Sequence, residues 1–221
     1  MREIILIRHG QSTANAEGVW QGQLDYPLSK LGREQARYAG EALRGVAVHS
    51  FYASPLVRAF ETAQIVARSC GYEGAVVPVA ELTERGGGLF EGNTWPERER
   101  EMPDIVARFR EASEEEGWSI IGAETDPEIL ARFAPAIREI LSRPATGERT
   151  VIVSHGGVMR AYLRDIFGPD VLADGERAGN ASITRVLVGA DGAWELASLA
   201  DTSHIPKAGE PVVPKDEPVS E

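Results

Sequence analysis

Two short apolar runs, each leading into a histidine, constrain the fold of this chain more than any other feature. Residues 4–7 read Ile-Ile-Leu-Ile and end two positions before His9, while residues 151–153 read Val-Ile-Val and end two positions before His155. Short, continuous, β-branched runs of this kind are typical of strands that are buried on both faces. Because open α/β sheets bind ligands at the carboxyl ends of their strands, we expect an α/β fold in which both histidines reach one ligand site.

The residues beside these histidines favour an anionic ligand. Arg8 and Gly10 flank His9, so a cation, a titratable ring and a backbone that a ligand can approach stand together. His155 is followed by Gly156 and an apolar pattern of helical spacing, and a helix N-terminus attracts anions. A phosphate group suits this combination; the alternative is that Arg8 and His9 only end a strand.

A third segment, residues 51–58, shows the same order of strand, turn and helix. Pro55 stands near the expected first position of the helix, where its missing N–H costs nothing. Arg58 then falls in the first helical turn and is able to address a ligand from the end of the helix. The spacing equally allows Arg58 to be an ordinary surface arginine.

Local signals predict the other elements. In chain order they are a strand over 3–7, a helix over 30–43 capped by Ser29, strands over 50–53 and near 75–79, a capping box over 94–97, a helix restart at Pro103, a helix capped by Asp126 and ended by Pro144, and strands over 182–188 and 194–199. In the helix from Asp126, the apolar spacing places Ile129, Phe133, Ile137, Ile140 and Leu141 inward. Prolines among charged residues predict a disordered tail over 206–221.

Composition excludes several classes of partner. The chain has 221 residues, 43% of them hydrophobic, which is enough for one sizeable core without a second domain. A net charge of −11 argues against nucleic acid and anionic membrane, since both require a basic face. One cysteine leaves no internal disulfide, and we find no signal peptide and no stretch long enough to span a bilayer, so the cytoplasm is the expected compartment.

Rival hydrolase chemistries lack their motifs. A cysteine phosphatase needs an arginine six residues after its cysteine, but Val76 stands there after Cys70. No pair of aspartates is separated by one residue, and no Gly-x-Ser-x-Gly, P-loop or His-Glu-x-x-His sequence occurs. His49 and His204 stand apart from the other two histidines, so no metal site and no cofactor are expected.

Short motifs over most of the chain occur in a recognisable order. They are RHGQSTAN at 8–15, QG at 21–22, DYPLS at 25–29, GREQA at 32–36, SPLVRA at 54–59 with TA at 62–63, LTE at 82–84, GLFEG at 88–92 and SHGG at 154–157. In this set the chain resembles the histidine phosphatase superfamily, the phosphoglycerate-mutase-like proteins. The resemblance implies a three-layer α/β sandwich, with a mostly parallel central sheet flanked by helices and a small helical cap insertion at about 86–147. It implies one such domain over 1–205.

The resemblance also implies roles for individual residues. His9 would attack phosphorus in line and become a phosphohistidine, while Glu84 would protonate the leaving oxygen and then activate water. Arg8, Arg58 and His155 would stabilise the phosphoryl oxygens, His155 best in its protonated form. The implied substrate-binding residues are Arg8, Asn15, Gln21, Gly22, Arg58, His155 and Gly156.

Two of these assignments carry a structural requirement. His9 must present an unprotonated ring nitrogen, so its other nitrogen should donate to a backbone carbonyl. Glu84 must be protonated in one step and ionised in the next. Only the resemblance selects Glu84, because Glu81 and Glu91 lie close to it in the sequence.

The segment between Gly92 and Thr150 bears on the reaction. It is short for a mutase, which must seal its phosphohistidine from water, and it lacks the tyrosine- and lysine-rich pattern of the mutase branch. Residues 123–125, Ala-Glu-Thr, resemble the Gly-Glu-Ser stretch of the phosphatase branch. We therefore predict a metal-independent phosphatase that acts on a small phosphate ester, a sugar phosphate or a phosphoglycerate-like molecule.

Alternatives remain open at this point. A cofactor-dependent phosphoglycerate mutase is the first, and a non-catalytic module that binds phosphoesters or protein is the second, although no core residue is missing. A homodimer is also open. The cap arginines either hold a second anionic group or form a solvated helix with i,i+4 pairs, the preferred interpretation; they are Arg85, Arg98, Arg100, Arg108 and Arg110. Aromatic residues there either line a pocket or, preferably, pack the cap; they are Trp20, Phe90, Trp95 and Trp118.

Overall fold

A central sheet of six strands organises the computed structural model, which describes residues 2–143, 149–172 and 178–206. The strands are β1 (Arg2–Arg8), β2 (Ser50–Ala53), β3 (Val76–Pro78), β4 (Arg149–Ser154), β5 (Ile183–Val188) and β6 (Trp194–Asp201). Their order is β3-β2-β4-β1-β5-β6, with β1 to β4 parallel and β5 and β6 antiparallel to their neighbours. The predicted, mostly parallel sheet is therefore confirmed.

Strands β1 and β4 lie side by side in the middle of the sheet. Leu6 pairs with Ile152 and Arg8 with Ser154, so the two apolar runs are in register. Residues 4–7 and 151–153 are almost fully buried, as expected for central strands covered on both faces. Because the strands are parallel, their carboxyl ends deliver His9 and His155 to the same edge.

Besides the 3₁₀ helices Ala80–Leu82 and Gly88–Phe90, eight α-helices lie in the described part of the chain. They are α1 (Thr13–Glu17), α2 (Lys30–Ala42), α3 (Val57–Cys70), α4 (Trp95–Glu101), α5 (Pro103–Glu111), α6 (Glu114–Ile120), α7 (Asp126–Ser142) and α8 (Gly156–Phe167). On one face of the sheet α7 and α8 pack through residues such as Phe133 and Tyr162, and on the other α2 and α3 pack through Ala39 and Val66. These layers form the expected three-layer sandwich.

Most predicted helix ends agree with the structure. The Ser29 hydroxyl accepts from the Gly32 N–H at 3.0 Å, and the capping box at 94–97 is present. The N-cap of α7 is Thr125 rather than Asp126, because the Thr125 side chain and Glu128 form a reciprocal capping box. Pro144 and, apart from residue 206, the predicted tail lie outside the described residues.

Helices α4 to α6 form the cap, which has a small core of its own. The predicted insertion over about 86–147 also includes α7, which packs against the sheet instead. Trp20, Trp95 and Trp118 surround the buried Phe90, so these aromatic residues pack the cap as preferred.

Arg85 and Arg98 contradict the solvated-helix interpretation, since they are 5% and 3% exposed. The Arg85 guanidinium lies 4.3 Å from the Trp118 ring centroid, and that of Arg98 lies 4.8 Å from the Trp20 and Phe90 centroids. Cation–π attraction and burial of their aliphatic stems explain these positions.

The exposed cap arginines also pair differently from the prediction. Arg110 binds Glu99 of the neighbouring helix, and Arg100 binds Glu101 next to it. The chain turns at Met102, between α4 and α5, which brings Arg110 of α5 next to Glu99 of α4. In the described ranges no helix is long and apolar enough to cross a membrane.

Candidate active site

The two histidines at the carboxyl ends of β1 and β4 face each other. Their ring centroids are 5.1 Å apart, and both side chains are buried. The main-chain N–H of His9 donates to the Ser154 carbonyl at 3.0 Å, which extends the pairing of the strands by one residue. The sheet register therefore sets the spacing of the pair.

His9 is held in one tautomer. Its Nδ1 lies 2.7 Å from the Gly10 carbonyl oxygen, which accepts but cannot donate, so Nδ1 carries the proton. Burial first, and then the charges of Arg8 and Arg58, lower the pKa of His9 well below its ordinary value. The ring is therefore neutral and Nε2 has a free lone pair, as the sequence analysis required of a nucleophile.

Gly10 makes a close contact with α2 that no sequence pattern predicts. A Cβ on Gly10 would lie 2.3 Å from the Gly32 carbonyl oxygen, because the first turn of α2 crosses directly over this loop. The Gly10 N–H donates to the Thr62 hydroxyl of α3 at 3.0 Å. In this structure the glycine gives room to a helix, and its expected role in the approach of a ligand stays a prediction.

Arg58 is fully buried, so the surface-arginine alternative is wrong. Its Nη1 donates to the Leu24 carbonyl and its Nη2 to the Gly22 carbonyl, both at 2.8 Å, while Nε has no partner among the described residues. Gly22 has φ +51, and a Cβ there would lie 1.9 Å from Glu91 Oε1. The 21–25 loop therefore reaches Arg58 through its backbone.

Arg8 lies against the N-terminus of α8. A Cβ on Gly156 would be 3.3 Å from Arg8 Nε, and Arg8 Nη1 donates to the Ala178 carbonyl. The guanidinium is thus fixed between β1, the segment after residue 177 and the first turn of α8. Two arginines, Arg8 and Arg58, direct positive charge toward the histidine pair.

The surroundings of His155 bear on its charge. Its Nε2 lies 2.8 Å from the Ser54 hydroxyl, and that oxygen already accepts from the Leu56 N–H at 3.3 Å. Either group can donate in the contact between Nε2 and Ser54. Nδ1 is buried and has no hydrogen-bond partner in the described part of the chain. Burial, followed by the positive charges of nearby arginines, Arg58 first, lowers the pKa of His155 well below its ordinary value. The site as it stands favours neutral His155, and its protonated form beside a phosphoryl group stays a prediction.

Asn15 and Gln21 turn their amide oxygens to the protein. Asn15 Oδ1 accepts from the Ser12 N–H and from Asn180 Nδ2, each at 3.2 Å. Gln21 Oε1 accepts from the Ser12 hydroxyl at 2.7 Å. These contacts leave the amide N–H groups as donors, which suits the substrate-binding role that the resemblance implies.

Glu84 meets the same end of α8 as His155. Its carboxylate accepts from the Val158 N–H at 3.0 Å, the Gly157 N–H at 3.1 Å and the Arg85 N–H at 2.8 Å. A Cβ on Gly157 would lie 2.6 Å from Glu84 Oε1, so the glycine makes this contact possible. Glu91, by contrast, binds the backbone N–H groups of loop residues, which distinguishes the two carboxylates.

Asn180 and Ser54 are site residues for which the sequence analysis assigned no role. Asn180 Nδ2 donates to the His9 carbonyl at 3.1 Å as well as to Asn15, and so ties the backbone after β1 to α1. Ser54 stands in a motif already quoted, but only its distance to His155 reveals its role. Asn180 lies 171 positions after His9 in a segment without periodic pattern, so no sequence signal pairs the two.

The two buried histidines make stability pH-dependent. Their pKa values in the fold lie below the unfolded value of about 6.5, so below that pH the unfolded chain binds protons that the folded chain does not. The contribution of the two histidines to the free energy of unfolding is fully present above the unfolded pKa. It is lost as the pH falls toward their pKa values in the folded protein. We expect each histidine to lower the free energy of unfolding by at most about 1.4 kcal/mol per pH unit as the pH falls through this window.

Urea titrations in phosphate-free buffer between about pH 7.5 and pH 5.5 measure this effect. The His9→Asn/His155→Asn double variant should lose less stability than the unaltered protein, since it lacks both groups but keeps His204. Equal losses in the two proteins would contradict the prediction.

Comparison with known proteins places the chain among phosphoryl-transfer proteins. The model of the histidine phosphatase superfamily (branch 1) matches residues 4–202. A metal-independent phosphoserine phosphatase from Arabidopsis thaliana is 35% identical over 215 residues, covering 94% of this chain and 84% of that protein. Phosphoglycerate mutase-like protein 4 from the same plant is 33% identical over 209 residues, covering 94% and 88%.

The solved structures include a mycobacterial glucosyl-3-phosphoglycerate phosphatase, determined in complex with VO3. It superposes with a TM-score of 0.72 at 28% identity, over 90% of this chain and 99% of that one. Sequence and fold therefore lead to the same group of proteins.

Proposed function

This chain belongs to branch 1 of the histidine phosphatase superfamily and is a phosphoric monoester hydrolase, and we propose that His9 carries its phosphohistidine intermediate. The observation that carries this assignment is the bond from His9 Nδ1 to the Gly10 carbonyl, which leaves Nε2 as the nucleophilic nitrogen. The neutral ring is maintained by burial, so the nucleophile needs no separate base.

In the first step, His9 Nε2 attacks phosphorus and the bond from phosphorus to the ester oxygen breaks. Glu84, which shares the α8 terminus with His155, gives its proton to the leaving alcohol. A phosphate dianion beside the carboxylate favours the protonated acid, because two negative charges would otherwise face each other.

Arg8 and Arg58 stabilise the negative charge on the phosphoryl oxygens. Both guanidiniums are fixed by backbone carbonyls before substrate enters, so little reorganisation is needed during transfer. The amide groups of Asn15 and Gln21 add neutral donors, and His155 donates through Nδ1. This role does not require His155 to be protonated.

In the second step, water attacks the phosphohistidine. Glu84, now ionised, takes a proton from the water as the bond from phosphorus to Nε2 breaks and phosphate leaves. The three N–H groups around the carboxylate stabilise the ionised form that this step uses.

For the substrate we propose a three-carbon acid that is phosphorylated on its primary hydroxyl. The support is chemical. Two of the similar proteins are named for phosphoserine and glucosyl-3-phosphoglycerate, and both molecules carry the phosphate ester on carbon 3, where the carboxylate carbon is carbon 1. The name of the mutase-like relative favours phosphoglycerate mutase as the second candidate function.

Phosphorus NMR of the purified protein in excess chelator distinguishes these functions. The esters are O-phosphoserine, 3-phosphoglycerate with a bisphosphoglycerate primer, and glucose 6-phosphate as a control. We expect free phosphate from a three-carbon ester, with kcat/KM of about 10⁴ M⁻¹s⁻¹ or higher. Formation of 2-phosphoglycerate without comparable phosphate release would establish the mutase instead, and turnover only after metal addition would overturn metal independence.

A further inference from the structure

Arg132 of α7 binds the loop that carries Glu84. We define the Glu84 loop as residues 81–86. Arg132 Nη1 donates to the Glu81 carbonyl at 2.7 Å and to the Thr83 carbonyl at 2.9 Å, and Nη2 donates to the Glu84 carbonyl at 3.0 Å. One side chain from a rigid helix thus holds three main-chain carbonyls of the loop.

Glu124 completes this arrangement from the cap side. It binds Arg132 in a bidentate pair, from Nε to Oε1 and from Nη2 to Oε2, each at 2.7 Å. The same Oε2 accepts from the Gly86 N–H at 2.8 Å. Burial opposes ionisation of Glu124, but the bonds from Arg132 and Gly86 prevail and lower its pKa, so the pair is intact at neutral pH.

These contacts orient the loop toward the reacting atoms. With its carbonyls turned to Arg132, the loop presents the Glu84 carboxylate to the opposite side, where Gly157 and Val158 bind it. Gln23 also donates to the Glu84 carbonyl, at 3.0 Å, but its side chain is exposed. The half-buried pair of Arg132 and Glu124 is therefore the main restraint on this backbone.

We propose that Arg132 and Glu124 are positioning residues for the proton transfer by Glu84, which they serve by clamping the backbone of its loop. The inference rests on the proposed function, because it needs Glu84 to be the acid. A carboxyl that shifts by about 1 Å loses alignment with the leaving oxygen, and such misplacement costs up to about 100-fold in rate. Neither residue contacts the phosphoryl group in this proposal.

The dependence of rate on the leaving group tests the proposal. An alkyl ester such as O-phosphoserine needs protonation of its leaving oxygen, whereas 4-nitrophenyl phosphate releases a stable phenolate and does not. The ratio kcat/KM reports the steps through cleavage of the ester bond, so it isolates the acid role of Glu84 from the later water attack.

We expect Arg132→Gln to lower kcat/KM for the alkyl ester about 10- to 100-fold, and for the aryl ester no more than about threefold. Arg138→Gln, an exposed arginine of the same helix, is the matched control and should change neither value. If urea unfolding reveals that Arg132→Gln does not fold, Glu124→Gln replaces it as the test, because it keeps the shape of the clamp but removes the negative charge that pairs with Arg132. That variant should show the same selectivity with a smaller loss.

Other results would overturn the inference. Equal losses for both esters would indicate a general structural role, and unchanged kinetics for the alkyl ester would show that the clamp is dispensable. An unaltered protein that hydrolyses neither ester would instead reject the proposed function, and the inference with it.

Discussion

The His9→Asn variant is expected to lose hydrolysis of every phosphomonoester, with kcat reduced by about 10⁴-fold or more. Asparagine preserves an N–H that can donate to the Gly10 carbonyl, as Nδ1 does now, so the loop keeps its main contact. It lacks the Nε2 lone pair, and no other nucleophile replaces it in the proposed mechanism. Release of phosphate from the preferred ester, followed in chelator, measures the loss.

Covalent trapping makes this test specific. Rapid quenching with labelled substrate should yield an acid-labile phosphoprotein from the unaltered chain and none from His9→Asn. The matched control is His204→Asn, because His204 is a partly buried histidine whose Nε2 contacts the Ala181 carbonyl rather than the site. Turnover of His9→Asn within about tenfold of the unaltered protein would contradict the nucleophile assignment.

The Glu84→Gln variant is expected to lose about 10²- to 10⁴-fold in kcat/KM for an alkyl phosphate. Glutamine has nearly the same shape but cannot give a proton to the leaving alcohol. The NH2 group of its amide would also face one of the three N–H donors that now bind the carboxylate, and two donors cannot bond to each other, so the contact with α8 is disturbed. The loss in kcat/KM for 4-nitrophenyl phosphate should be much smaller.

The two half-reactions separate in this variant. With the aryl ester, formation of the phosphohistidine continues but water is no longer activated, so phosphoprotein should accumulate and a burst of nitrophenolate should precede slow turnover. Glu81→Gln, an exposed glutamate at the start of the same loop, is the control and should behave like the unaltered protein. Equal losses for both esters, without a burst, would remove Glu84 from the acid–base role.

Much of the fold follows from patterns that are local in the sequence. The apolar runs at 4–7 and 151–153, the cap at Ser29 and the box at 94–97 each produce the predicted element. Such signals succeed because strand burial and helix capping depend on residues within a few positions of each other. The cytoplasmic location stays a prediction, and a homodimer stays an open alternative.

The errors concern contacts between distant segments. Arg98 enters the aromatic core of the cap beside Trp20, and Arg85 packs on Trp118 and pairs with Asp126. Each residue was interpreted from its neighbours in the chain, whereas its environment is formed by elements far away in sequence. Solvation and steric fit are properties of that environment.

The sequence by itself determined the main strands, the family resemblance and the candidate reacting groups, because residue types and short motifs carry that information directly. Tertiary structure alone decided how those groups are prepared: the Gly10 carbonyl that selects the tautomer of His9, the α8 terminus that binds Glu84, and the Arg132 clamp on its loop. The reason is physical, since backbone carbonyls and N–H groups are the same in every residue. Only folding determines which of them reach a given side chain.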